Sequence, residues 1–198
     1  MNAWASPQAP HDAPPDAARA WLRIGLAALA AAHGALWWRA AAWWPLIPER
    51  FPTHFDLAGK PDGWANRSLP SWFALPLIAL ALCCFVGGIG IWIGALARNT
   101  PGIVNVPQKD LFLKLSPEGR ASVVMPTRLL LLAVLVLMQG LFLAILEGTG
   151  RVATGEQATL SIAPVVVFMP LVVVAVVFGW LATASAITRA ARAEGLSR

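Results

Sequence analysis

The sequence predicts an all-α integral membrane protein with four transmembrane helices, an ordered extracytoplasmic loop between helices one and two, and an interfacial cytoplasmic segment before helix three. Three observations carry that prediction. The 198 residues are 58% hydrophobic and 13% charged, against roughly 45–50% apolar and about 25% charged for a soluble domain. Four stretches, 24 to 38, 68 to 97, 129 to 146 and 157 to 188, hold no Asp, Glu, Lys or Arg, and a span needs about 20 apolar residues. Between the first two lies a polar, turn-rich island, PERFPTHFDLAGKPDGW, from Pro48 to Trp64.

Taken in order, residues 1–19 are rich in Pro and Ala and read as a disordered leader. The uncharged stretch 24 to 38 would rise only about 22 Å against roughly 30 Å of hydrocarbon. A helix over about 20–44 is long enough if Arg39 snorkels toward water, and it places Trp37, Trp38, Trp43 and Trp44 in an aromatic belt. Arg23, the apolar run and Ala40-Ala41-Ala42 also mimic a signal peptide. The charge of Arg39 beside the supposed cleavage site and the length of the leader argue against cleavage.

The second helix, about 70–98, starts near Ser68 or Ser71 with Pro70 in its first turn. Gly90 and Gly94 form a Gly-x-x-x-Gly step suited to close packing within the chain. The adjacent Cys83 and Cys84 read as buried small hydrophobes, not as a disulfide. Ser116-Pro117-Glu118 is a helix start in the following loop. Leu111, Phe112, Leu113 and Leu115 are placed on the membrane surface, and Pro126 is expected to bend or interrupt the chain before helix three, about 127–147. The loop from 148 to 158 reads as a simple connector. Helix four, about 160–188, contains Pro164 and Pro170 and is expected to kink. It closes a transmembrane domain of residues 20–188, leaving 189–198 as a tail.

Basic residues set the expected orientation. Ten of the fifteen (Arg19, Arg23, Arg98, Lys109, Lys114, Arg120, Arg128, Arg189, Arg192, Arg198) fall on one side of the four-helix scheme, and Arg39, Arg50, Lys60, Arg67 and Arg151 on the other. Both termini and the central loop are therefore expected in the cytoplasm, with the Pro48 to Trp64 island outside. The net charge of +5 is accounted for by cytoplasmic flanks meeting anionic lipid, and no nucleic-acid partner is called for. The two halves share no repeat, which disfavours an inverted-repeat transporter.

In the island, His54 and Asp56 stand two apart and would share a face of an extended segment, and Asp62 and Glu49 could return there through the turns at Gly59 and Gly63. Side-chain to backbone bonds that tie the loop to itself are the commonest use of such residues. The alternatives are a divalent-metal site at His54, Asp56 and Asp62, a base with its orienting partner, or recognition of an external peptide or lipid. His33 and Gln139 are polar residues near the middle of their helices, serving either a helix-to-helix bond or the polar path of a small transporter or channel component. There is no Ser or Cys nucleophile beside a base, no phosphate-cradling loop and no dinucleotide fingerprint. The chain therefore reads as non-enzymatic and without a cofactor.

The pattern of Pro48, Pro52, His54, Phe55, Asp56, Gly59, Asp62, Gly63 and Trp64 resembles the signature of a bacterial membrane-protein domain-of-unknown-function family that includes the N-terminal part of the SdpI-type toxin-immunity proteins. Asn105, Pro107, Lys109 and Asp110, followed by Ser116-Pro117-Glu118, look like that family's second block. The resemblance spans about residues 20–147. It departs at Asp56, where the family has mainly Asn, and at Arg67, where it has Lys. What it implies is a multi-pass protein of the bacterial inner membrane acting as a sensor or immunity protein, with an external peptide ligand, a cytoplasmic protein partner or a second copy of itself as partner classes.

Overall fold

Four helices have the length and hydropathy to cross a bilayer, and their ends follow from local sequence. The computed structural model describes residues 16–196, so the expectation of a disordered leader falls, for residues 1–15, outside the described residues. Helix α1, Asp16–Trp43, starts before residue 20, with Asp16 favourably placed in its first turn. Pro45 then forces a single 3-10 turn, Trp44–Leu46. Strands β1 (Arg50–Phe55) and β2 (Pro61–Asn66) follow as an antiparallel hairpin.

A capping box between Ser68 and Ser71 opens the short α2, Leu69–Trp72. After a break at Phe73 comes α3, Ala74–Asn99. A 3-10 turn at Pro101–Ile103 leads to α4 (Lys109–Lys114) and to α5 (Pro117–Ser122), which is capped by Ser116. The two remaining spans are α6 (Met125–Ala153) and α7 (Ala163–Ala193).

The interruption expected at Pro126 is there: α5 stops at Ser122, α6 begins at Met125, and Pro126 sits in the first turn of α6, where its missing N–H had no partner. Pro164 likewise lies in the first turn of α7, which continues through Pro170 to Ala193. One expectation needs correction: Phe112 and Leu115 do not lie on a membrane surface; they are 0% and 2% exposed.

Helix α6 is the hub, packing against α1, α3 and α7. Gly25 and Trp43 of α1 meet Leu132 and Gly150 of α6, so these two helices run parallel. Contacts of Gly90 and Gly94 with Leu131 and Arg128, and of Gly140 and Gly179 with Phe168 and Leu130, set α3 and α7 antiparallel to it. Two apolar cores close the ends of this bundle. One, at the hairpin end, joins Leu36, Ala40, Trp43, Ile47, Phe51, Trp72, Ala79 and Leu146. The other gathers Ile93, Ala97, Val104, Val106, Phe112, Leu115, Val123, Val124, Ile187 and Ala191 around α4 and α5.

Removing the ring at the centre of the second core should be expensive. Phe112→Ala is expected to destabilise the protein by about 3–5 kcal/mol, and Leu113→Ala, at an exposed neighbour, far less. Equilibrium unfolding in detergent micelles measures the difference.

Candidate functional site

The hairpin turns on Asp56. Its Oδ1 accepts from the N–H groups of Ala58 and Lys60, both at 2.8 Å. Backbone bonds from Asp56 to Lys60 O and from Gly59 to Asp56 O, each 2.9 Å, close the loop. Gly59 sits at φ +74, where an L side chain is strained, and a Cβ there would lie 2.0 Å from the Leu160 carbonyl oxygen. That closeness reflects a docking contact: Leu160 N–H donates to Gly59 O at 2.8 Å. The loop after α6 is therefore the seat of the hairpin tip and not a simple connector. A side-chain oxygen at position 56 is all this turn asks for, and Asp and Asn both supply one.

His54 and Asp56 do not work as a pair. The register runs Pro52↔Trp64, His54↔Gly63, Phe55↔Pro61, which leaves Thr53 extra on β1 and Asp62 extra on β2. Two opposed bulges of this kind re-aim side chains, and Asp62 Oδ1 comes to 2.5 Å from His54 Nδ1. Gly63 lies directly across from His54, where a Cβ would come within 2.7 Å of the histidine's own. Among the described residues no three His, Cys, Asp or Glu side chains gather as metal ligands would, so the set His54, Asp56 and Asp62 does not assemble. The His54–Asp62 bridge is solvent-facing, with side chains 74% and 47% exposed.

The base of the hairpin is fixed to the helices. Phe51 is 2% exposed and meets Trp72 edge to face at 5.4 Å between ring centroids. Trp72 in turn donates to Ala40 O at 2.8 Å, and Arg67 N–H donates to Glu49 O at 2.7 Å. Pro52 is also fully buried. Leu57 in the turn and Trp64 on β2 are exposed, with the Arg50 guanidinium 5.8 Å from the Trp64 ring centroid.

In mid-bundle, His33 and Gln139 meet. Trp37 Nε1 donates to His33 Nε2 at 2.9 Å. Since an indole can only donate, Nε2 is the acceptor and the ring proton sits on Nδ1, which lies 3.2 Å from Gln139 Oε1. Gln139 Nε2 then donates to Cys83 Sγ at 3.1 Å. One directed chain thus ties α1, α6 and α3, with Gln139 0% exposed. Both side chains bond to each other and neither lines the cavity between α1, α3 and α6.

Sequence reasoning missed the ion pair nearest this layer. Arg39 does not simply snorkel: its Nε and Nη2 fork onto Glu147 of α6, the second contact at 3.0 Å, and Trp43 Nε1 adds a bond to Glu147 Oε2 at 3.2 Å. Of the four belt tryptophans Trp43 is buried, Trp37 stacks on Phe73 and Trp44 packs against Phe73 and the Arg67 guanidinium, which leaves Trp38 exposed to anchor in lipid. Opposite charges near the same end of two spans were the available signal. The second sequence block is structural as well. Lys109 Nζ donates to the carbonyls of Pro101 (2.7 Å), Gly102 (3.1 Å) and Val104, Pro107 is buried, and Asn105 and Asp110 face outward.

The fold is thus that of a multi-pass membrane protein whose longest inter-helix insert, at the hairpin end, is a pinned hairpin. Residues 33–80, from the middle of α1 through the hairpin into α3, match the family model of a domain of unknown function (DUF1648). No curated protein and no solved structure matches the chain.

Gly59→Ala should destabilise the hairpin by at least about 1 kcal/mol through backbone strain alone, seen as faster amide exchange over residues 56–60. A double-mutant cycle tests the ion pair. Arg39→Met and Glu147→Leu together should destabilise less than the sum of the two single changes, by about 0.5–3 kcal/mol.

Proposed function

We propose that this chain is a non-enzymatic sensor or immunity-type protein of the bacterial inner membrane, with the hairpin facing outward as its recognition element. The distribution of basic residues supports termini and central loop in the cytoplasm. The observation that carries the reading is the anchored hairpin: Phe51 and Gly59 fix it to α2 and to the loop after α6, while Leu57, Trp64 and the His54–Asp62 bridge remain exposed on a shape already set. A preorganised surface binds without an ordering penalty. Its mixture of an aromatic ring, an aliphatic tip, Arg50 and a carboxylate suits an amphipathic peptide. The SdpI-like resemblance supports a membrane-active toxin as that peptide, and Asn105 and Asp110, exposed on the opposite loop, offer contacts for a cytoplasmic partner or a second copy.

Cells lacking the gene should become hypersensitive to a subset of membrane-active peptides, and expression of the wild-type chain should restore resistance where Leu57→Asp with Trp64→Ala does not. Unchanged sensitivity together with an unchanged transcriptional response in the deletion strain would remove both the immunity and the sensing readings.

A further inference from the structure

Arg128 enters the bundle at the start of α6 with two of its five N–H donors placed on carbonyls of α3, Gly90 at 3.0 Å and Ile91 at 3.3 Å. It fits there because Gly94 has no side chain; a Cβ would lie 2.7 Å from Nη2. The ion pairs among the described residues are Arg39–Glu147 and His54–Asp62, and Arg128 is in neither. A half-buried guanidinium at the edge of a bilayer, bonded only to helix carbonyls, favours an anionic partner.

Beside it, between α1, α3 and α6, is a cavity of about 310 Å³ whose other walls are apolar, Leu26, Leu29, Val86 and Leu132 among them. The volume falls at the lower end of the roughly 300–1,000 Å³ of small-molecule sites. Gly87 and Gly90 open its α3 wall: a Cβ on Gly87 would meet nothing within 4 Å, and one on Gly90 only Leu131 Cδ1 at 3.9 Å. A cation at one edge of an apolar slot matches a molecule with an anionic head and a hydrocarbon chain.

We infer that this cavity binds an acidic phospholipid, the phosphate held by Arg128 and part of one acyl chain lying between α1 and α3. Guanidinium and phosphate pair by two parallel N–H···O bonds, and the donors that α3 leaves unused suffice for that.

Native mass spectrometry of the full chain in detergent, titrated with phosphatidylglycerol, phosphatidylcholine or oleate, tests the assignment. Phosphatidylglycerol should bind about five- to tenfold more tightly than phosphatidylcholine. Arg128→Gln should abolish that preference, and Gly87→Leu, filling the slot, should weaken phosphatidylglycerol binding by a similar factor. Circular dichroism and elution volume report folding for each variant; should Arg128→Gln fail to fold, Gly87→Leu decides, since its Cβ meets no atom within 4 Å. No headgroup preference in the wild type, wild-type affinity for phosphatidylglycerol in Gly87→Leu, or tighter binding of oleate than of phosphatidylglycerol would each overturn it.

Discussion

Helix α6 has to find its neighbours without the hydrophobic effect, and the rest of the bundle depends on how it does so. Lipid tails solvate Leu and Val as well as another helix does, so association rests on close packing and on polar groups with no alternative partner. Along α6 these come in layers. Thr127 meets Thr183 of α7, Arg128 the carbonyls of α3, Gln139 both His33 and Cys83, and Glu147 meets Arg39. Between the last two layers Gly140, and just beyond them Gly150, admit the rings of Phe168 and Trp43. Each layer fixes the rotation and height of a neighbour, which a purely aliphatic face would leave free to slide.

The hairpin solves a different problem. A two-stranded ribbon is marginally stable alone, and this one carries two bulges and a charged turn. It persists because its ends are held by elements distant in sequence: Trp72 and Ala40 grip its base through Phe51, and Leu160 grips its tip. The prolines, glycines and Asp56 of the family-like pattern are therefore conformational residues. Asp56 and Gly59 shape the turn, Gly63 clears space for His54, and Pro52 packs into the core.

The helical frame was legible because it follows from hydropathy, and turn chemistry at Ser68, Pro70 and Ser116 marked real helix starts. The hairpin's use of its residues was only half legible. Alternation predicts that His54 and Asp56 share a face, but a bulge at Asp62 swaps the partner, and register is not written in any local window. Phe112 and Leu115 are illegible for a related reason: apolar residues beside lysines look interfacial until a second surface, here Ile187 and Ala191 of α7, arrives to cover them. Arg39 with Glu147, and Glu194 with Ser116 at 2.7 Å, are pairs separated by 108 and 78 residues. Single-sequence reading places such charges at a depth but cannot match them.

An accounting of polar groups separates structure from function here. In a medium that offers no water, a polar side chain bonded within the chain is held in place by that bond and has little left for a ligand. His33, Gln139, Arg39 and Glu147 are spent in this sense, Lys109 has its ammonium on three carbonyls, and among the described residues no buried side-chain nitrogen or oxygen is left without a partner. Two places combine unspent capacity with a fixed frame. One is the outward strip of the hairpin, where Leu57 and Trp64 stay exposed although the backbone beneath them is fixed. The other is Arg128, whose charge meets only carbonyls beside an open apolar slot. Residues prominent in sequence, His33 and His54 above all, draw attention by type, but it is unsatisfied capacity, not type, that leaves a group able to bind something else.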